Sequence, residues 1–443
     1  MVKNTCGLAA ANTALAGKQV LLYIIIVQNK AKFKEFARKM SKKPVFSGIV
    51  CEFNPLHFGH EYLLQAAKKN SDALVCIMSG NWVQRGEPAL LSKYARARMA
   101  LACGADLVAE LPLPWAMAGA ERFAFGAISL LHHLGCIGQL WFGSECGSST
   151  ALESLAGLLL SEELGRVLPD YLRQGINFAL ARQRAVQAIA GSEAAELLQS
   201  PNNILGIEYC KALLRLHSHI RPYTVTRVGS AHDAPGEVQS GAFLSASQLR
   251  ALLLGGNSLQ GLLPEACFQI LQEEIDSQRA PADFSRLEGA LIARLRMMER
   301  ADFAALPDIS EGLENRLYEV SRSALAAQQL YDGVKSKRYS HARIRRLVLS
   351  ALLSIPARLP DTPPYFRVLA MNENGRELLR AAARTSTLPL ATRPRDFRNA
   401  GEEIDSLFQL EARSTDLYAL CLPSPPACGW EYRQGFFFAR NTI

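Results

Sequence analysis

The stretch that decides the fold is Gly48-Ile49-Val50-Cys51-Glu52-Phe53-Asn54-Pro55-Leu56-His57-Phe58-Gly59-His60. It begins as an apolar run, turns at Asn54-Pro55, and continues as a helix start with the pattern His57-x-Gly59-His60. A glycine at such a position lets the backbone approach a phosphate, and the free N–H groups of a helix N-terminus attract anions. The two imidazoles can donate hydrogen bonds to an α-phosphate as negative charge builds on it. The stretch therefore predicts a triphosphate site at the end of the first strand.

Short apolar runs alternate with helical patterns from residue 45 to about residue 250. Five of these runs are predicted as buried parallel strands, namely Val45–Cys51, Ala73–Met78, Leu107–Leu111, Leu140–Phe142 and Thr224–Val228. Alternation of this kind is typical of an α/β fold with a doubly wound parallel sheet, in which ligands bind at the carboxyl ends of the strands where the strand order reverses.

The remaining chain suggests further divisions. Residues 251–400 are rich in Leu, Ala and Arg, with helical periodicity and little strand signal. We predict a catalytic nucleotide-binding domain over 45–255 and a mainly α-helical, basic C-terminal domain over 256–443. Residues 1–44 are expected to be an N-terminal extension that is disordered or non-native, with Met40 as the native start.

Composition narrows the classes of function. The net charge of +8 and the pI near 9.0 favour a polyanionic partner such as nucleic acid or nucleotide. The ten cysteines form no CxxC pair and no Cys/His cluster with zinc spacing, which indicates free thiols in a reducing compartment. The apolar run Val20–Val27 is far too short to cross a membrane. We expect a cytoplasmic protein with no membrane association and no stable protein partner.

A second motif is expected to close the other side of the nucleotide. The HxGH arrangement resembles that of the nucleotidyltransferase superfamily, which has a Rossmann-like fold. Phe243-Leu244-Ser245-Ala246-Ser247-Gln248-Leu249-Arg250 resembles the (I/L)S(A/S)TxxR element of the same superfamily, in which hydroxyls and an arginine hold the phosphates. Ser247 stands where threonine is commoner and keeps the hydroxyl. Taken alone, the segment equally fits a helix N-cap with a charged first turn.

Further segments resemble one family within that superfamily. They are Ile77–Pro88, Phe142–Glu145, Ser200–Gly206, Arg227 and His232-Asp233. The ordered set is similar to the tRNA-Met cytidine acetate ligases over Val45 to about Tyr365. This resemblance implies an ATP-dependent ligase that activates acetate as acetyl-adenylate and acetylates N4 of the wobble cytidine of elongator tRNA-Met, yielding N4-acetylcytidine. It also implies ATP as a cofactor, with Mg²⁺ bound to it.

The resemblance and the motifs together assign the site residues. His57 and His60 are the predicted catalytic residues. The predicted ATP contacts are Val50, Cys51, Glu52, Phe53, Asn54, Pro55, Leu56, His57, Phe58, Gly59, His60, Glu61, Tyr62, Leu63, Gly143, Asn202, Arg227, Ser245, Ser247 and Arg250.

The basic stretch Lys335–Arg346 is the predicted centre of tRNA binding. Such a surface suits phosphate contacts along a folded RNA, and Tyr339 could stack on a base. The same pattern also fits a solvated amphipathic helix, and the turn around Gln84 fits a polar β-turn. Further arginines, including Arg367, follow this stretch. The predicted substrate and tRNA contacts are Gln84, Arg85, Lys93, Lys337, Arg338, Arg343, Arg345 and Arg346.

Two other functions remain open from the residues. A small-molecule adenylyltransferase, or a carboxylate-activating enzyme like the pantothenate ligases, would share the HxGH pattern. An RNA-binding protein on a retired nucleotidyltransferase fold would not need His57, Gly59, His60, Ser245 and Ser247 together, so their presence argues against it.

Overall fold

A computed structural model describes residues 44–227, 244–310, 312–336 and 339–440 of the chain. The predictions for residues 1–43, for His232-Asp233, and for Lys337 and Arg338 lie outside the described residues.

One sheet runs through the described part of the chain, with a short hairpin beside it. The strands are β1 (Phe46–Cys51), β2 (Ala73–Ser79), β3 (Trp82–Val83), β4 (Glu87–Pro88), β5 (Leu107–Leu111), β6 (Ile137–Ser144), β7 (Arg221–Thr226), β8 (Phe366–Met371), β9 (Leu390–Ala391) and β10 (Phe437–Phe438). The sheet has the order β10-β8-β5-β2-β1-β6-β7, with β9 beside β8, whereas β3 and β4 pair only with each other. Strands β5, β2, β1, β6 and β7 are mutually parallel, and β8 is antiparallel to β5. The chain leaves β1 first toward β2 and later toward β6, so the strand order reverses at β1.

Helices fill the connections between the strands. They are α1 (Phe58–Lys68), α2 (Lys93–Ala102), α3 (Leu113–Ala116), α4 (Ala120–His133), α5 (Ser149–Leu159), α6 (Glu162–Leu172), α7 (Phe178–Glu196), α8 (Pro201–Arg215), α9 (Ala246–Leu254), α10 (Glu265–Asp276), α11 (Glu288–Met297), α12 (Arg300–Ala304), α13 (Leu313–Ser323), α14 (Ala327–Val334), α15 (His341–Leu353), α16 (Glu373–Thr385), α17 (Glu402–Ala419) and α18 (Trp430–Arg433). Short 3₁₀ turns cover Leu197–Gln199, Phe284–Leu287 and Pro394–Phe397. No helix among the described residues has the length and apolar character needed to cross a membrane.

The central strands bury side chains on both faces of the sheet. Along β2, Leu74, Cys76 and Met78 join one apolar cluster, while Val75 and Ile77 join another. Successive side chains of a strand point to opposite faces, so each cluster lies on its own side of the sheet. Helices α1, α2, α9 and α10 contribute to the cluster around Leu74, and α4 and α8 to the other. The doubly wound α/β fold predicted from the alternation is confirmed.

The chain after residue 251 is mainly helical, as predicted, but it also supplies three strands to the sheet. Strand β8 is fully buried and pairs with β5. Its one charged residue, Arg367, is matched by two buried carboxylates, those of Glu110 in β5 and Glu431 in α18. The local pattern gave little strand signal because the partner that makes Arg367 acceptable in a buried strand lies far away in sequence. The described residues from Val45 onward belong to one compact unit.

Candidate active site

A cavity of about 780 Å³ lies at the carboxyl ends of β1 and β6, where the strand order reverses. One wall carries His57, Gly59 and His60, and another carries Ser245 and Arg250. The position is the one at which doubly wound sheets bind their ligands. The structure therefore brings the two predicted motifs into one cavity.

The two histidines are fixed by the helix that they begin. The N-cap of α1 is His57, whose Nδ1 accepts a hydrogen bond of 3.1 Å from the Gly59 N–H. In return, the Nδ1 of His60 accepts from the His57 N–H at 3.4 Å. The rings stack with centroids 3.8 Å apart, and Phe53 meets His60 edge-on. Because both Nδ1 atoms are acceptors, the network assigns the ring hydrogen to Nε2, and each ring keeps one N–H donor.

Burial favours the neutral form of both imidazoles. Burial lowers the pKa of His57 to about 4, and the positive charge of Arg227 acts in the same direction. Burial also lowers the pKa of His60 well below its usual value, helped by His57 and Arg227. A neutral imidazole with a protonated Nε2 donates a hydrogen bond to an oxyanion without first needing a proton from solvent.

The opposite wall is built on the start of α9. Ser245 is its N-cap and forms a capping box with Gln248, so the helix-cap interpretation of this segment is correct, and its role in holding phosphates stays a prediction. The Ser247 hydroxyl accepts hydrogen bonds from Arg85 at 3.2 Å and Arg250 at 3.4 Å. Through Nη1, Arg250 also donates to the Asn54 carbonyl at 2.9 Å, which ties this wall to the end of β1. Two guanidinium groups thus converge on one hydroxyl at the cavity.

A third group of residues lies at the ends of β6 and β7. The Asn202 Oδ1 accepts from Arg227 at 3.3 Å, and its Nδ2 donates to the Glu145 Oε1 at 2.7 Å. Glu145 also accepts from the Asn203 backbone N–H at 2.8 Å, so its carboxylate covers the N-terminus of α8. A side chain at Gly143 would place its Cβ 3.2 Å from Arg227. Gly143, Asn202 and Arg227 all line the cavity, and their contact with ATP stays a prediction.

The long stretch predicted to contact ATP divides into two sets. Residues Val50, Cys51, Glu52, Phe53, Asn54, Tyr62 and Leu63 line the cavity together with the HxGH residues. Pro55, Leu56, Phe58 and Glu61 are not among its lining residues. Leu56 is absent from the cavity wall because its side chain is fully buried in the core.

Lys93 is a predicted substrate contact that the structure places elsewhere. It begins α2 with a fully buried side chain, and its Nζ lies 2.6 Å from Glu110 and 2.7 Å from Glu431. Burial opposes the charge, but the two carboxylates outweigh it and raise the pKa of Lys93. The expected contact of Lys93 with pyrophosphate or tRNA is therefore wrong. Arg367 pairs with the same two carboxylates, is buried in the same cluster, and is likewise no part of an RNA surface.

Arg96, one turn further along α2, is a buried residue that ties together the chain segments at this edge of the sheet. Its guanidinium is fully buried and donates to the carbonyls of Leu91 at 3.0 Å, Glu52 at 2.5 Å and Gly80. These carbonyls belong to the ends of β1 and β2 and to the loop after β4. The sequence alone does not show these contacts, because the three carbonyls lie on separate segments of the chain.

The predicted tRNA contacts in α15 adjoin the cavity to different degrees. Arg346 donates to the Gln84 carbonyl at 3.3 Å, and Arg345 lies 4.0 Å from Glu87. Arg343 instead contacts Asp308 and Ser310. Tyr339 is buried beneath Arg343, so the expected stacking of a base on this ring is wrong. Arg345, about one third exposed, is the best placed of these arginines to meet an RNA near the cavity.

Known proteins resemble the chain over nearly its whole length. A profile of the HIGH Nucleotidyl Transferase family matches residues 45–428. A tRNA(Met) cytidine acetate ligase of a Thermoanaerobacter species is 38% identical over 397 residues, spanning 87% of this chain and 97% of the relative. One from Acetivibrio thermocellus is 35% identical over 411 residues, spanning 87% and 98%. The crystal structure of Thermotoga maritima TmcAL bound with alpha-thio ATP is 30% identical, with a TM-score of 0.82 over 90% of this chain and 100% of that chain.

Proposed function

Since the chain belongs to the tRNA(Met) cytidine acetate ligase family, within the HIGH nucleotidyl transferases, we propose that it binds ATP in the candidate site, activates acetate, and acetylates N4 of the wobble cytidine of elongator tRNA-Met. The observation that carries this proposal is the single cavity into which both the HxGH residues and the Ser245–Arg250 segment project. We propose that the protein works in the cytoplasm, where ATP and tRNA are both present.

In the first step, an acetate oxygen attacks the α-phosphorus of ATP, and the bond to the β-phosphate oxygen breaks. The products are acetyl-adenylate and pyrophosphate. The Nε2–H groups of His57 and His60 donate to the α-phosphate oxygens as charge builds on them. Arg250 and Arg85, which converge on Ser247, stabilise the phosphates that leave. The enzyme contributes position and charge, and no covalent intermediate with the protein is needed.

In the second step, the N4 amine of the cytidine attacks the acetyl carbonyl, and AMP leaves with the bonding electron pair. Asn202 and Arg227 hold the adenosine side of the intermediate at the ends of β6 and β7. The apolar lining from Phe53, Phe142 and Leu205 limits the water that could hydrolyse the mixed anhydride.

Magnesium is expected with ATP, and the described residues offer no ready set of side-chain ligands for it. No group of three or more His, Cys, Asp or Glu side chains in the described residues could hold a metal ion. Two of the cavity carboxylates are engaged already, Glu87 by Arg250 and Glu145 by the start of α8. Mg²⁺ supplies charge neutralisation when it accompanies ATP, and we propose that the phosphates rather than side chains carry it.

Pyrophosphate exchange tests the first step against the rival small-molecule enzymes. Labelled pyrophosphate should enter ATP only when acetate is present. Pantoate or nicotinate mononucleotide should not replace acetate. Exchange supported by either of these, with none from acetate, would assign the site to the rival class.

We also propose that the surface beside the cavity, formed by Gln84, Arg85, Arg345 and Arg346, contacts the tRNA. Filter binding of tRNA over a salt series tests this with Arg345→Ala. Loss of one phosphate contact should weaken binding and reduce the salt slope by about one. The control is Arg380→Ala, an exposed arginine paired with Glu377 on α16. Equal affinity and slope for both variants would remove Arg345 from the interface.

A further inference from the structure

The second half-reaction needs a group that takes a proton. As N4 of the cytidine bonds to the acetyl carbon, the nitrogen becomes cationic and must lose one hydrogen. A positioned side chain that accepts this hydrogen accelerates such a step by roughly 10²–10⁴-fold. The candidates are the imidazoles and carboxylates that line the cavity.

The histidines are poor candidates for this role. The Nδ1 atoms of His57 and His60 already accept backbone N–H groups in the capping box, so Nε2 carries the hydrogen. In this tautomer each ring donates and does not accept. Their geometry suits stabilisation of an oxyanion and leaves the amine without a base.

Three carboxylates line the cavity in the described part of the chain, and two of them are engaged. Glu87 forms ion pairs with Arg250 at 2.9 Å and Arg345 at 4.0 Å. Both oxygens of Glu145 accept hydrogen bonds from Asn202 and Asn203 at the start of α8. Using either as a base would break the contacts that shape the nucleotide site.

Glu52 is held differently. Its Oε1 accepts from the Gln84 N–H at 2.7 Å and from the Ser79 hydroxyl at 3.3 Å. Among the described residues, no hydrogen bond reaches Oε2. Arg96 holds the backbone of Glu52 by donating to its carbonyl. One oxygen therefore anchors the side chain at the cavity, and the other is able to accept a hydrogen. A carboxylate is also the group that proteins use to recognise the N4 amine of cytosine.

We propose that the Glu52 carboxylate is the general base that accepts the N4 hydrogen of the cytidine. This inference rests on the proposed function and extends it to the second half-reaction. The nitrogen lone pair forms the N–C bond, the C–O bond to AMP breaks with its electrons, and the N4 proton passes to Oε2 and then to solvent. Burial raises the pKa of Glu52 above its ordinary value, against the opposing effects of the Gln84 N–H and Arg96, which brings the carboxylate closer to a base strength useful near neutral pH.

Separating the half-reactions tests this role. Acetyl-adenylate is first formed on the enzyme from ATP and labelled acetate, and tRNA is then added in a single-turnover experiment. Glu52→Gln keeps an oxygen for Gln84 and Ser79 but removes the base. We expect acetyl transfer to slow by about 10²–10⁴-fold, with a much smaller effect on acetate-dependent pyrophosphate exchange. The matched control is Glu377→Gln, in an exposed ion pair on α16, which should transfer at the normal rate.

The pH dependence of transfer by the unmodified enzyme provides a measurement that needs no variant. A carboxylate base works only when ionised, so the transfer rate should rise with pH through an apparent pKa above that of an ordinary glutamate. The titratable and charged groups that act on Glu52 or respond to its charge are Cys51, Glu87, Arg96 and Tyr209.

Circular dichroism of Glu52→Gln checks that the variant is folded.

Several outcomes would overturn the inference. They are an equal loss of exchange and transfer in Glu52→Gln, a normal transfer rate in that variant, and a transfer rate in the unmodified enzyme that does not rise with pH. Failure of the unmodified enzyme to form acetyl-adenylate would instead contradict the proposed function, so the two failures can be told apart.

Discussion

Replacing His57 with asparagine removes an imidazole from the site while keeping a side chain that caps a helix. His57 has two roles, since its Nδ1 accepts the Gly59 N–H at the start of α1 and its Nε2–H is available to a phosphate. Asparagine is among the best N-cap residues, and alanine is among the poorest. The pair His57→Asn and His57→Ala therefore separates the catalytic role from the structural one.

The loss of the donor and the loss of the cap have different expected sizes. Loss of one donor to a developing oxyanion costs about 2.7–4 kcal/mol, or about 10²–10³-fold in rate. Both variants should lose acetate-dependent pyrophosphate exchange by this factor. Loss of the cap should lower the free energy of unfolding by about 1 kcal/mol in His57→Ala only.

Exchange kinetics and urea unfolding of the two variants provide the test. Normal exchange by His57→Asn would refute the donor role. A loss of stability in His57→Asn as large as that in His57→Ala would refute the capping argument. Neither result depends on tRNA.

Three further predictions concern the folded protein. Lys93→Met removes the cation that pairs with two buried carboxylates, and urea denaturation should show a free energy of unfolding that is lower by about 3–5 kcal/mol. A loss below about 1 kcal/mol would contradict the burial of this ion-pair cluster. In the folded protein His57 has a pKa of about 4, below its pKa in the unfolded chain, so unfolding takes up protons at acidic pH. The free energy of unfolding should therefore fall by up to about 3 kcal/mol as pH drops from about 6.5 toward 4. An equal dependence of stability on pH in His57→Asn would contradict this. Gly86 has a φ of 74°, and Gly86→Ala puts a Cβ 2.7 Å from the Arg346 backbone nitrogen. Calorimetry should show that the free energy of unfolding falls by at least about 1–2 kcal/mol. Unchanged stability would contradict the close packing of this turn on α15.

The parts of the fold that local patterns encode could be predicted. Strands β1, β2 and β5 are short apolar runs, and their bounds agree with the prediction to within one residue. The HxGH stretch combines a strand end, a turn and a helix start, so its place at the switch point followed from sequence.

Contacts between distant residues could not be predicted in this way. Lys93 reads as a surface cation at the start of a helix, and only the fold shows that Glu431 meets it in the core. Arg367 was predicted to belong to a basic helical region. It lies instead in a buried strand, beside the carboxylate of Glu431. Tyr339 follows a run of basic residues, but its ring is buried beneath Arg343.

The candidate site shows the same limit. The sequence identified most of the residues that line the cavity because family segments carry them. It did not show that the Glu87 carboxylate is held by Arg250 or that Glu145 covers the start of α8. These contacts of Glu87 and Glu145 distinguish Glu52 from the other two cavity carboxylates. They depend on side chains from separate elements, which the sequence alone does not bring together.

Mass spectrometry of tRNA nucleosides is the most direct test that this cavity joins acetate to cytidine. The protein is incubated with ATP, isotope-labelled acetate and tRNA, and the tRNA is then digested to nucleosides. The proposed function predicts labelled N4-acetylcytidine from elongator tRNA-Met, dependent on ATP and lost in the His57→Ala, His60→Ala double variant. No labelled nucleoside with the unmodified protein, or an equal yield from the double variant, would contradict it.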